Sequence, residues 1–80
     1  MNWKKIKYYP AWQNTIDKEK ELWISPIGNK IFYVDYIIIK KREPFEYIKI
    51  RLKKFKSKIQ AINFAKNWMR KYPRGISVKI

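Results

Sequence analysis

Cysteine and histidine are both absent from these 80 residues, glycine occurs twice and acidic side chains six times. Without thiol or imidazole, the chain has no disulfide, no Cys/His zinc site, no thiol nucleophile and no imidazole base. Lack of cysteine fits a reducing compartment, so the expected location is the cytoplasm, in free or nucleoid-associated form. With only Gly28 and Gly75 there is no glycine-rich phosphate loop. Asp17, Glu19 and Glu21 sit in or beside a predicted loop, while Asp35, Glu43 and Glu46 are dispersed. A metal nuclease needs carboxylates converging on a divalent cation, so the expectation is a protein that is not an enzyme and has no metal or cofactor. Long apolar runs are missing too. The longest, Ile31 to Ile39, is interrupted by Asp35 and is less than half of the roughly 20 residues that span a bilayer. The basic start, Met1 to Lys7, is followed by no apolar segment, so no signal peptide is expected and a membrane partner is disfavoured.

What the chain has in excess is positive charge. Twenty Lys and Arg against six Asp and Glu give a formal +14. The excess is uneven: residues 1–39 carry six basic and four acidic side chains, residues 40–80 fourteen and two. Self-repulsion of this size is tolerated where the partner is a polyanion, and the second half should build the surface that meets it. Aromatics reach 18% and hydrophobic residues 46%, enough for one ordered domain over 1–80 with a core of large rings.

Periodicity divides the chain into short elements. Residues 1–12, with Pro10, form an edge strand or an arm, and 13–20 a polar loop. Leu22 to Ser25 is a short strand, and Pro26-Ile27-Gly28-Asn29 supplies turn chemistry. Lys30 to Ile39, rich in β-branched and aromatic residues, is a central strand apolar on both faces. Phe45 to Lys53 alternates: Ile48, Ile50 and Leu52 face one way, Tyr47, Lys49, Arg51 and Lys53 the other. Ser57 and Gln60 make a capping box, so a helix begins at Lys58. Ala61, Ile62, Phe64, Ala65, Trp68, Met69 and Tyr72 form its apolar stripe, and Pro73 and Gly75 end it. Residues 76–80 alternate as a last strand. The predicted fold is α+β: a three- to four-stranded antiparallel sheet packed on one amphipathic helix, in the order (β)-β-β-β-α-β.

The helix must cover the sheet face bearing Ile48, Ile50 and Leu52. Lys49, Arg51 and Lys53 then share the open face over about 13 Å, with Tyr47 beside them. If Phe32, Val34, Tyr36 and Ile38 are core, Trp23 and Tyr33 also fall on the open face, as packed rings or as a ligand platform. Lys40, Lys41 and Arg42, at a hairpin tip, form a phosphate clamp or a solubilising turn. The N-terminal Lys4, Lys5 and Lys7 with Trp3, Tyr8 and Tyr9 form either a basic arm for a neighbouring groove or a cover over the apolar open-face residues Ile37 and Ile39.

From Trp23 to Lys71 the chain resembles the AP2-like and integrase arm-type DNA-binding domains. The likeness rests on Leu52-Lys53-Lys54-Phe55-Lys56-Ser57, then Gln60-Ala61 and Ala65. These are similar to a Leu-Gly-x-Phe ending of the third strand, a Ser/Thr cap and an early Glu-Ala in the helix. Lys53 stands in place of the glycine and Gln60 in place of the acid. The resemblance implies three antiparallel strands and one helix, with the sheet in the major groove and Trp23, Tyr33, Lys49 and Arg51 on DNA-facing strands. The expected function is therefore nucleic-acid binding, with duplex DNA first. The alternatives are an RNA or single-strand binder that stacks bases on Trp23, Tyr33 and Tyr47, and an interaction protein, homodimeric or docked on an acidic partner.

Overall fold

A computed structural model describes residues 2–77. Five strands precede one helix: β1 (Trp3–Lys5), β2 (Ala11–Asn14), β3 (Lys20–Ile27), β4 (Ile31–Arg42), β5 (Phe45–Phe55) and α1 (Lys58–Lys71). The strands pair antiparallel in chain order, a five-stranded meander, with α1 packed across one face. The α+β class is as expected; the strand count is not. The N-terminal segment holds two strands, because Pro10 lies in a turn between them and Tyr8 adopts a left-handed conformation there (φ 72°). The second of these strands continues through Gln13 and Asn14, which the sequence assigns to a loop. At three and four residues, both strands are too short for a period to show. Ile76 and Ser77 form no strand, and residues 78–80 of the expected last strand lie outside the described residues.

Alternation decides which residues meet the helix. Leu22 and Ile24 from β3, with Val34, Tyr36 and Ile38 from β4, are buried against Ala61, Ala65, Trp68 and Met69 of α1. Ile48, Ile50, Leu52 and Phe55 of β5 close one side of this layer. Trp3 and Trp12 close the other, so Trp3 joins the core and does not reach out as an arm. Its ring meets Trp68 edge-on at 6.0 Å, and Trp68 also packs against Tyr36 and Tyr72. The small side chains Ala61 and Ala65 let the helix approach β4 closely.

Three buried polar groups tie the segment after the helix to the sheet. Trp3 Nε1 donates to Tyr72 O at 3.0 Å, and Asn14 Nδ2 to Pro73 O at 2.9 Å. The Tyr36 hydroxyl donates to Ile76 O at 2.9 Å and accepts from Ile76 N at 3.2 Å. Ser57 occupies the N-cap position, yet its side chain makes no capping hydrogen bond. The helix starts where the capping box places it, by backbone geometry and the packing of Ala61 and Ala65.

The β5 alternation breaks once. Val34 pairs with Lys53 and Asp35 with Arg51, leaving Leu52 as the extra residue of a β-bulge. A bulge sets two residues against one and resets which way the strand faces.

Candidate nucleic-acid interface

The sheet face away from α1 is built from the alternate residues of β3, β4 and β5. Trp23 lies on β3 and Tyr47 on β5, with β4 between them, yet their ring centroids are 5.1 Å apart. Strands are about 4.8 Å apart, so both rings must lean inward over β4. This explains why Ile37 and Ile39, on the face without a helix, are fully or nearly fully buried. The cover expected from N-terminal rings comes instead from the neighbouring strands: Trp3 is in the core, while Tyr8 and Tyr9 are exposed. Phe45 extends the row, 5.2 Å from Tyr47. Phe45 and Tyr47 remain 49% and 42% exposed, so the row has an outer surface free for contact.

Beside the rings lies a polar cluster. Asp35 is completely buried and accepts hydrogen bonds from Ser25 Oγ at 2.7 Å and Arg51 Nε at 3.1 Å. The Arg51 guanidinium also stacks over Tyr33, 3.7 Å from its ring centre. The hydrogen bond to Asp35 pushes the Arg51 pKa above its ordinary value, against an opposing effect of burial. Arg51 is therefore a positioned cation whose charge is met by Asp35 within the protein, and one face of Tyr33 is taken up by it.

The remaining cations divide between the faces. Lys49 lies opposite the open-face residue Ile37, and Lys54 opposite Tyr33; both are exposed. Lys53 departs from the expected open face. The bulge at Leu52 turns it to the helix side, where its ammonium lies 5.6 Å and 5.7 Å from the ring centres of Phe55 and Phe64. Lys54 takes the place that alternation assigns to Lys53. Lys40, Lys41 and Arg42 end β4 at the Glu43-Pro44 turn, all exposed, with Arg42 Nη2 donating to Lys18 O at 2.8 Å. Lys5 is no free arm: its ammonium donates to Ile6 O and Tyr9 O within its own turn.

The structure thus brings Trp23, Tyr47 and Lys49 onto one surface, adds Phe45 and Lys54, and leaves Lys53 outside it. Phe45 was legible, since it stands two residues before Tyr47 on an alternating strand. Among the described residues, no three carboxylates come together as a metal site, and no helix is long and apolar enough to cross a membrane. No family model, curated protein or solved structure matches the chain.

Proposed function

We propose that the chain is a non-enzymatic nucleic-acid-binding module whose ligand lies on the open face of the sheet. The observation that carries this reading is the ring row Phe45–Tyr47–Trp23, exposed at Phe45 and Tyr47 and flanked by Lys49 and Lys54, on a chain of net charge +14. Rings offer a stacking surface that any base can use, and lysines follow the backbone phosphates. Lys54 makes good the loss of Lys53, but the commitment of Arg51 to Asp35 leaves one free cation fewer for groove insertion than alternation implies. The balance therefore favours strands with unpaired bases. Duplex DNA is the second reading, favoured by the long β4–β5 ribbon with Lys40, Lys41 and Arg42 at its end, a shape that a major groove admits.

The test is competition binding among duplex DNA, single-stranded DNA and structured RNA. If six to ten phosphates are neutralised, duplex affinity should fall roughly 10³–10⁵-fold between about 50 and 200 mM salt, with a shallower slope for single strands. Tighter binding of single strands at matched salt supports the stacking reading, and tighter binding of duplex the groove reading. No binding to any nucleic acid at low salt overturns both and leaves an acidic protein partner.

A further inference from the structure

Glu21 is an anomaly on this surface. In a chain of net charge +14, the residue is only 8% exposed and no ion pair to it exists among the described residues. One oxygen, Oε1, accepts the Trp23 indole N–H at 2.8 Å. The other has no protein partner among the described residues, yet it is not sealed from solvent. Glu21 lines a groove of about 720 Å³ on the open face together with Trp23, Phe45, Tyr9, Pro10 and Arg42. A mostly apolar groove with one carboxylate and one cation fits a flat heterocycle that carries a donor and is attached to an anion.

Resting on the reading above, we propose that this groove holds one unpaired nucleobase bearing an exocyclic amine (cytosine, adenine or guanine), which donates to Glu21. The base lies against Trp23 and Phe45, and the adjoining phosphate meets Arg42. A polynucleotide is favoured over a peptide because Lys40, Lys41 and Arg42 precede the turn that carries Phe45, so the rim is cationic where a backbone would leave the groove. Carboxylates accept well from the cytosine amine. Thymine and uracil offer an N3–H between two carbonyl oxygens, and those oxygens would face the carboxylate. Trp23 fixes Glu21 in place, so the acceptor is set before the base arrives.

The probes are short oligo(dC) and oligo(dT) of equal length at about pH 7.5, pyrimidines alike in size and backbone charge. The intact protein should bind oligo(dC) roughly tenfold more tightly, as expected for one hydrogen bond to a charged acceptor. In Glu21→Gln the amide oxygen can still accept from Trp23, turning the NH2 towards the groove. The preference should then vanish or reverse in favour of the thymine carbonyl, with duplex DNA affinity little changed. Phe45→Ala, at a half-exposed position, should weaken both oligomers while leaving their ratio intact. Equal affinity of the intact protein for both oligomers, with salt-dependent binding retained, overturns the base site and leaves nucleic-acid binding standing. That result would also fit a groove meant for an apolar peptide. Failure to bind either oligomer or duplex at low salt overturns the functional reading and this inference together.

Discussion

Replacing Gly75 by alanine tests how the segment after the helix is fastened to the sheet. Gly75 has φ +74°, and a Cβ placed on it would lie 2.5 Å from the Tyr36 hydroxyl oxygen. Two effects follow. Left-handed backbone costs an L-residue about 1–2 kcal/mol. The Tyr36 ring must also shift, weakening its two hydrogen bonds to Ile76, each contributing about 0.5–1.5 kcal/mol net. Gly75→Ala should therefore destabilise by roughly 2–4 kcal/mol. For a domain of this size that is a fall in thermal midpoint on the order of 10–25 °C. Urea unfolding followed by circular dichroism measures it, with a double-mutant cycle to identify the cause. In a Tyr36→Phe background the hydroxyl is gone, so Gly75→Ala should cost less, with a coupling of about 1–2 kcal/mol. A neutral Gly75→Ala, or strict additivity with Tyr36→Phe, would refute the contact between Gly75 and the hydroxyl.

Three further outcomes follow from the same structure. Burial pushes the Tyr36 phenol above its ordinary pKa of 10.0, against an opposing hydrogen bond with Ile76. The unfolded chain thus ionises first, so this stabilisation is present below about pH 10 and is lost as pH rises through the folded value. Urea midpoints at about pH 9 and pH 11 should fall more for the intact protein than for Tyr36→Phe, and equal falls would contradict the assignment. Asn14 is fully buried, accepts from the Ile16 and Asp17 amides and donates to Pro73 O. Asn14→Ala should cost roughly 2–4 kcal/mol in urea unfolding, and a loss under about 0.5 kcal/mol, typical of surface changes, would refute its role. Trp23→Ala removes one of the two rings that lean over β4, so binding of a hydrophobic dye should rise at unchanged helix content; unchanged dye binding would contradict its role as cover for Ile37 and Ile39.

Where a period was long enough, the sequence was readable. The stripe from Ala61 to Tyr72 and the alternation of Ile48, Ile50 and Leu52 identified the helix and the sheet face it covers. The limits have physical causes. β1 and β2 are each about one side-chain alternation long, so the segment reads as an edge strand or an arm, and nothing in it assigns Trp3 and Trp12 to the helix side of the sheet. The bulge at Leu52 carries no residue signature, since neither Leu52 nor Lys53 is a glycine, so the shift of Lys53 to the helix side could not be anticipated. Asp35 and Arg51 meet because β4 and β5 pair in one particular register, sixteen residues apart, which composition does not encode. From the sequence, Glu21 is placed in or beside a loop and given no role, although its place two residues before Trp23 puts both on one strand face.

The central claim is that nucleic acid meets the open sheet face, and an equal-charge comparison tests it most directly. Lys49→Ser/Lys54→Ser removes two exposed cations from that face, and Lys66→Ser/Arg70→Ser removes two from the exposed side of α1. Both variants lower the net charge by the same amount, so only position differs. Affinity for single-stranded DNA measured across a salt series should show the slope of the sheet variant reduced by about 1.4, two contacts at about 0.7 each. The helix variant should keep nearly the full slope. Equal reductions, or a larger one for the helix variant, would contradict the placement and move the interface to the helix side.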